Sequence, residues 1–588
     1  MSEKHQALRL SQFILSQGPG SVLETPSGPV VISSLDRYFT SLGAQVPGGK
    51  ADPENFEVTE QRLTQSALGG ARIVRLPTND EVGIPSADWV YPTEPFPLWS
   101  VCTKHGAKQV LYRYQSRSDI GCSLCGKTSV WECRAKAGRE AIRFVRACEN
   151  GHLDDVDWHW LVHGRVGCRG TEFIWTGAGR SLRQSYLKCS SCTAEVNFGA
   201  VYMRPLNCRG RRPELGLNNE EACTADARIV QRGASNLHVP VHQTALTLGG
   251  TSQRLHQQLS DANIRIRFQM LIDDDELNEE KVRKILSNEK VPITPVARME
   301  LVETSWERLH QAIREVFGLD AIVTGDDGDP IRDTEFEFLA RAAVTGVPAI
   351  AVGGKGAPPM LEIHKDAVKR ISAPHSTLGI RVTPINRLRV VIAQTGYERL
   401  GGSATDVKFQ FGASYWVPGV ELFGEGVFID LPDQALPLPS ERAGGWRALP
   451  RDPKCQTDPV FVWWHTLSHR LIRALSIDSG YSSASIRERI YFTKSATGEP
   501  RGGALLYTVQ PGGDGTLGGL VEMAKRFEEV LEGAVEDLDN CSNDPLCEES
   551  ELHNSLGAVC YSCLLASETS CEWRNRGLDR LLLRDCLP

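Results

Sequence analysis

The chain has 588 residues, 41% hydrophobic and 23% charged, with 65 Lys+Arg against 73 Asp+Glu and a net charge of −8. This is the composition of an ordinary soluble globular protein, of about four domains by length. It argues against a helical membrane protein: no apolar run reaches the ~18 residues a span needs, and the longest approach, Ala342–Val352, is broken by Gly346 and Pro348. The opening M-S-E-K-H-Q has no apolar core behind it, so no export signal is expected, and the 17 cysteines are expected as reduced thiols in the cytoplasm. Their odd number argues against a complete disulfide framework, and among reduced thiols C-x-x-C pairs point to metal.

Residues 1–95 read as a small mixed α/β unit. An unbroken segment, Leu8–Leu15, is ended by Gly18-Pro19-Gly20, and Val22–Leu35 alternates as a hairpin with Ser27-Gly28 at its turn. Gly18 and Gly20 could admit a phosphate to the backbone, but a plain turn is the expected use.

Residues 96–240 form a cysteine-rich module. Cys102 and His105, then Cys122 and Cys125, have the spacing of two zinc knuckles and together predict a Cys3His site of zinc-ribbon type. Cys189 and Cys192 make a second knuckle, expected to be completed by Cys208 and Cys223. Between them, Cys148 and His152, with Cys168 downstream, read as a buried turn with a hydrogen-bonded histidine more than as a further ion site. Residues 101–240 carry 21 basic against 13 acidic residues, although the whole chain is acidic. Such a module points to an anionic partner, nucleic acid foremost, unless its arginines pair with acidic neighbours. Arg134, Lys136, Arg139, Arg143, Arg146, Arg204, Arg209, Arg211 and Arg212 flank the knuckles, and Arg204, Arg209, Arg211 and Arg212 are the expected DNA-binding residues.

Residues 241–454 are the least informative. Leu271–Val296 and Val302–Phe317 predict helices, Thr324–Pro330 a hinge or insertion, Ile380–Thr395 a strand, and Leu436–Lys454 a linker. Residues 455–588 read as α/β, with a buried helix at Phe461–Ile477, strands at Arg489–Thr493 and Ala504–Val509, and an amphipathic helix from Leu517 to Val535. Its end holds Cys541, Cys547, Cys560, Cys563 and Cys571, a density that predicts zinc, with five thiols for four places.

Three further motifs carry less. His465-Thr-Leu-Ser-His469 has the spacing of a zinc-protease helix, but Thr466 stands where that motif has its glutamate, so a structural role is expected. Gly512-Gly513-Asp514-Gly515 and Gly353-Gly354-Lys355-Gly356 are glycine-rich, yet neither is a Walker A loop.

The run S-L-G-A-V-C-Y-S-C-L-L-A-S-E-T-S-C, followed by Leu578-Asp579-Arg580, resembles the DrmB family of the DISARM anti-phage systems. So do the Ser-Gln…Gly-Pro-Gly opening, A-C-x-N-G-H-L-D-D in the centre and Q-R-G-A-S-N at Gln231–Asn236. The last part is also similar to the zinc-binding domain at the C-terminus of MrfA-type DNA-repair helicases, where four cysteines hold the metal and a His-x3-His helix is also present. The resemblance implies a partner, the DrmA helicase, which would supply the motor this chain lacks, with other DISARM components as further partners.

The resulting expectation is an α+β, multidomain protein. Its segments are 1–95, a zinc-ribbon-like cysteine-rich centre at 96–240, a middle domain with linker at 241–454, and a C-terminal α/β zinc-binding domain at 455–588. It would hold about three Zn(2+) per chain by site count and act without catalysis of its own, as a helicase's partner in recognising and remodelling invading DNA. The alternatives are a metal-dependent hydrolase or nuclease built on His465, His469 and a nearby carboxylate, or a scaffold that binds only proteins. Lacking a phosphate loop, the purified chain is expected not to hydrolyse ATP. Robust turnover abolished by a change at Lys355 or Asp514 would contradict this.

Overall fold

The computed structural model describes residues 7–26, 28–85, 91–103, 105, 108–113, 122, 140–164, 167–177, 181–216, 218–248, 255, 258–259, 261–274, 276–317, 329–347, 361–432, 435–440, 456–494, 498–510, 518–549 and 557–588. Cys125, Arg134, Lys136, Arg139, most of the 324–330 loop, both glycine-rich loops and residues 441–454 of the expected linker lie outside these. Helices and several separate sheets make an α+β chain. It divides into two units: residues 1–59, 68–243 and 392–420 form the first, and 60–67, 244–391 and 421–588 the second. The cysteine-rich segment 96–240 falls wholly in the first unit and the segment 455–588 wholly in the second. No helix among the described residues is long and apolar enough to cross a membrane.

In the first unit two small antiparallel sheets carry the cysteine-rich centre. One runs in the order Glu195–Asn197, Tyr186–Cys189, Glu172–Thr176, Lys108–Arg113, Trp99–Cys102; the other Leu206–Asn207, Asp226–Gln231, Phe144–Cys148, Leu153–Asp154. Alternation along Tyr186–Cys189 buries Leu187 and Cys189 and exposes Tyr186 and Lys188. The buried faces meet in an aromatic core of Phe144, Trp158, Phe173, Trp175 and Phe198, in which Trp175 stacks on Phe144 at 5.8 Å and meets Phe198 at 5.0 Å. Rings of this size supply most of what so small a core can bury.

The expected N-terminal hairpin is short: Val22–Leu23 pairs with Val30–Ile32, and a helix, Leu35–Gln45, follows. Gly20 is required by backbone conformation and close packing, and Gly18 lies close to the Gln394 side chain. A Cβ at Gly18 would stand 2.1 Å from Gln394, and one at Gly20, where φ is +84°, 2.8 Å from the Tyr397 ring. Behind them the fully buried Arg399 donates to the carbonyls of Gly20 (2.7 Å), Leu237 (2.7 Å) and Gly151 (3.0 Å), and its guanidinium lies over the Tyr397 ring. One side chain thereby ties the N-terminal segment to the cysteine-rich centre.

The second unit is built around the helix Pro459–Asp478. Asp458 caps it by accepting from Val460 N, Pro459 occupies its first turn, and 13 of its 20 residues are buried, because it is apolar on several faces. It packs with an antiparallel sheet in which Phe423 to Asp430 pairs with Gln510 to Gly503, and Pro500–Gln510 pairs with Arg487–Lys494. The helices Phe527–Val535 and Arg580–Asp585 also pack on it. The expected single helix after Leu517 is two, Gly519–Ala524 and Phe527–Val535, broken at Arg526, whose φ of −115° and ψ of 28° are not helical. A separate apolar cluster, including Phe268, Val282, Leu286, Leu301 and Ile313, gathers the helices Ala262–Asp273, Glu279–Ser287, Pro295–Glu303 and Trp306–Phe317.

Glu335, fully buried in this unit, accepts from Leu246 N (2.8 Å), Arg489 Nε (2.5 Å) and Tyr491 Oη (3.3 Å). Replacing one partner of a buried, hydrogen-bonded ion pair leaves the other uncompensated, at a cost of about 3–5 kcal/mol. Glu335→Gln should therefore lower the urea midpoint of the chain and speed amide exchange in Arg487–Lys494. An unchanged midpoint would show that Glu572, 3.2 Å from Arg489 Nη1, suffices alone.

Candidate metal centres

Among the described residues, five groups of cysteine, histidine and acidic residues each place their ligating atoms within 4.8 Å of one another. Around a zinc ion with Zn–S of 2.3 Å, tetrahedral geometry sets sulfurs about 3.8 Å apart. That spacing is the test of fit.

Cys541, Cys547, Cys560 and Cys563 pass it, with sulfur separations of 3.4 Å (541–560), 3.7 Å (547–563) and 3.7 Å (560–563). The C-x-x-C turn aims two thiols to one side because Cys563 N bonds Cys560 O while Cys560 N points at Cys563 Sγ, 3.2 Å away. The Cys541 loop is held by Asp544, which accepts from Cys541 N (2.8 Å) and from Arg580 Nη2 (2.9 Å). Burial, and then the neighbouring thiols, push Cys563 up to about 11. At Cys560 burial is outweighed by hydrogen bonds from Cys541, Asn543 and two backbone amides, which bring it down to about 6. Such crowded thiols ionise together only with a cation among them.

The expected set Cys189/Cys192/Cys208/Cys223 is divided by the structure. Cys208 and Cys223 stand with Cys148 and His152, and Cys189 and Cys192 with His163 and Cys168. The reason is topological: Cys189 and Cys192 sit at a hairpin of the five-stranded sheet, whereas Cys208 and Cys223 flank strands of the four-stranded one. Cys148, which ends its own strand, is paired with Ala227 there.

In the Cys148 group, Cys208 Sγ lies 3.5 Å from Cys148 Sγ, which is 3.3 Å from His152 Nδ1. The other ring nitrogen, His152 Nε2, meets the Glu221 carboxylate at 2.5 Å. A carboxylate behind a ligating imidazole orients the ring and raises its basicity. In the His163 group, Cys168 and Cys189 are 3.9 Å apart, and backbone amides of Gly170, Ser191 and Ala194 point at the three sulfurs. His163 Nδ1 donates to the His159 carbonyl (3.0 Å), which leaves its buried Nε2 facing the three thiols. A lone pair so placed beside three thiols fits a metal ligand better than a packed ring. The spacings Cys148-x3-His152 and His163-x4-Cys168 carried this signal in the sequence, but they span hairpin and helix-end geometry that the C-x-x-C pattern does not cover.

In the fourth group His105 Nε2 lies 3.5 Å from Cys102 Sγ and 3.2 Å from Cys122 Sγ, while Cys125 is outside the described residues. Cys571, the fifth thiol of the C-terminal set, lies in none of these four; it stands with His465, His469 and Glu488.

The four expected DNA-binding arginines differ. Arg204 is exposed. Arg209 is paired with Asp157, Arg211 with Glu220 and, at 3.6 Å, Asp154, and Arg212 with Glu221 at 3.1 Å while also donating to Thr405 and Asn150 O. Arg143 is exposed, and Arg146 is buried against Asp154.

Both units thus carry clusters of soft and borderline donors whose spacing fits a bound metal ion of the zinc class. Residues 467–564 match the MrfA Zn-binding domain, and residues 9–239 match a domain of unknown function, DUF8724. The chain is 28% identical over 531 residues to the DISARM protein DrmB of Bacillus paralicheniformis, covering 84% of this chain and 88% of that one. Among solved structures it is similar to the DUF1998 helicase MrfA bound to DNA, at 14% identity and a TM-score of 0.18. That match covers 36% of this chain and only 23% of the helicase. The chain therefore resembles DrmB along most of its length and has a zinc-binding domain of the MrfA kind near its C-terminus.

If the cysteines of the centre serve two ions, Cys189→Ser and Cys208→Ser should each remove a different zinc. Native mass spectrometry of the double variant should then show two fewer zinc ions than the parent. Loss of only one would restore the single Cys189/Cys192/Cys208/Cys223 site.

Proposed function

We propose that this chain is a zinc-stapled accessory subunit of an anti-phage defence complex. In this reading it has no motor or catalytic centre of its own and works beside a separate helicase of the DrmA type, helping it bind or remodel invading DNA. The observation that carries it is the match to DrmB over most of both chains, combined with a zinc-binding domain of the MrfA kind on a chain without a Walker A loop. In this reading zinc is held by Cys541/Cys547/Cys560/Cys563, by Cys148/His152/Cys208/Cys223, by His163/Cys168/Cys189/Cys192, and by Cys102/His105/Cys122 with Cys125. That is more than the three ions counted from the sequence.

The DNA contact in this reading is by phosphate. Arg204 is exposed, and Arg209 is free to exchange Asp157 for a phosphate because an exposed ion pair contributes at most about 1 kcal/mol. Arg212 plays a different part, since it holds Glu221, which in turn holds His152. The assay is DNA binding by the complex of this chain with its helicase, titrated against salt. Arg204→Glu with Arg209→Glu should weaken binding and reduce the slope of log K against log salt by about 2, because each lost phosphate contact removes roughly 0.9. Arg212→Glu should instead lower zinc content. Unchanged DNA affinity of the Arg204/Arg209 variant at every salt concentration would mean that the basic face meets a protein.

A further inference from the structure

The four residues His465, His469, Glu488 and Cys571 come from three places. The histidines lie one turn apart on the helix Pro459–Asp478, Glu488 is on the strand Arg487–Lys494, and Cys571 is in the C-terminal cysteine segment. All four are buried, and the histidines and Glu488 have no exposed surface. His465 Nε2 is 2.9 Å from Glu488 Oε1 and 3.2 Å from Cys571 Sγ, and His469 Nε2 is 3.3 Å from the same carboxylate oxygen.

The opposite side of each group decides what the cluster can be. His465 Nδ1 lies 3.1 Å from the Gly577 carbonyl and His469 Nδ1 2.8 Å from the Leu564 carbonyl. A carbonyl oxygen only accepts, so both Nδ1 atoms carry the proton, and in the neutral ring Nε2 is then a bare lone pair. Glu488 Oε2 is occupied by the Ser468 hydroxyl, which leaves Oε1 facing the two rings, and Cys571 Sγ accepts from Asn575 N at 3.1 Å. Two nitrogen lone pairs, a carboxylate oxygen and a sulfur therefore converge on one point. Without a cation, the Cys571 S–H can serve only one of these acceptors, and the others need an imidazolium or a protonated carboxyl in a dry interior. A divalent ion with a thiolate and a carboxylate is electrically neutral, which removes that cost. Each imidazole also has the carbonyl behind it that metal-bound histidines use to fix tautomer and orientation.

We propose that His465, His469, Glu488 and Cys571 form a second metal site in the C-terminal unit, closed and structural, for a borderline divalent ion of the zinc class. Bond lengths of about 2.0–2.3 Å to such an ion set neighbouring donors about 3.3–3.6 Å apart, within a few tenths of an ångström of the observed contacts. Four protein donors leave no position for an activated water, so the site is not that of a hydrolase. Its work is to pin the segment after the four-cysteine cluster onto helix and sheet. His469 reaches the Leu564 carbonyl, next in sequence to Cys563, so ordering at one cluster orders the other. The site uses His465 and Cys571, which lie on either side of the segment 467–564 that matches the zinc-binding domain.

The test uses the full chain purified from zinc-supplemented cells, and it is independent of any DNA or helicase binding. Crystals measured above and below the zinc absorption edge should show an anomalous peak among these four side chains as well as one at the four-cysteine cluster. A peak at the cysteines with none here overturns the proposal. Native mass spectrometry of Cys571→Ala should show one zinc fewer than the parent, and of Cys571→Ala with Cys563→Ser two fewer; full metal content in Cys571→Ala also overturns it. If the variants do not fold, the anomalous map of the parent chain decides.

Discussion

Sulfurs 3.4–3.9 Å apart pose a charge problem before they pose a structural one. As thiols they make weak hydrogen bonds, and as thiolates they repel across a medium that screens poorly. A dication at their centre resolves both, and its binding free energy becomes folding free energy where no site exists in the unfolded chain. The strands that carry the clusters need that contribution. Leu206–Asn207 and Leu153–Asp154 are two residues each, too short to hold a ladder by themselves. The clustered side chains stand where these ladders end, so a metal bound among them would close what the backbone hydrogen bonds leave open.

Away from the clusters, each unit has a buried charge whose every polar atom is engaged by a partner. Arg399 gives its protons to three carbonyls from distant parts of the chain, and Glu335 collects an amide, a guanidinium and a phenol. Such groups add little net stability over apolar replacements, but they tolerate few alternative packings. They specify which segments meet. The close approach of Gly18 to Gln394 and of Gly20 to Tyr397 belongs to the same device, since the Arg399 contact at Gly20 needs the backbone that near.

Part of the basic balance of the centre is internal. Arg146 and Arg211 converge on Asp154, Arg209 on Asp157, and Arg212 on Glu221. Arg212 in particular acts through Glu221 on His152, so a residue that counts as positive surface in the sequence is part of the framework around the Cys148 cluster. Counting charges along 101–240 therefore overstates the cationic face offered to a partner.

The α+β class, the buried helix at Pro459–Asp478, the strands beside it and the C-terminal zinc-binding domain were all legible in the sequence. Each is a local property: an apolar run of helical length, alternation, or two thiols separated by two residues. The resemblance to DrmB was legible for the same reason, being carried by short contiguous runs such as S-L-G-A-V-C-Y-S-C. Which cysteines and histidines stand together was not. Cys189 and Cys208 belong to different sheets, and His152, His163 and Cys168 complete their clusters from segments that read as ordinary turn and helix end. Cys571 is eight residues from Cys563 in sequence, yet it stands with two histidines more than 100 residues earlier. Spacing along the chain predicts that a knuckle forms, because a tight turn is made locally. Only strand pairing and helix packing, which act between residues far apart in sequence, decide where its two remaining ligands come from.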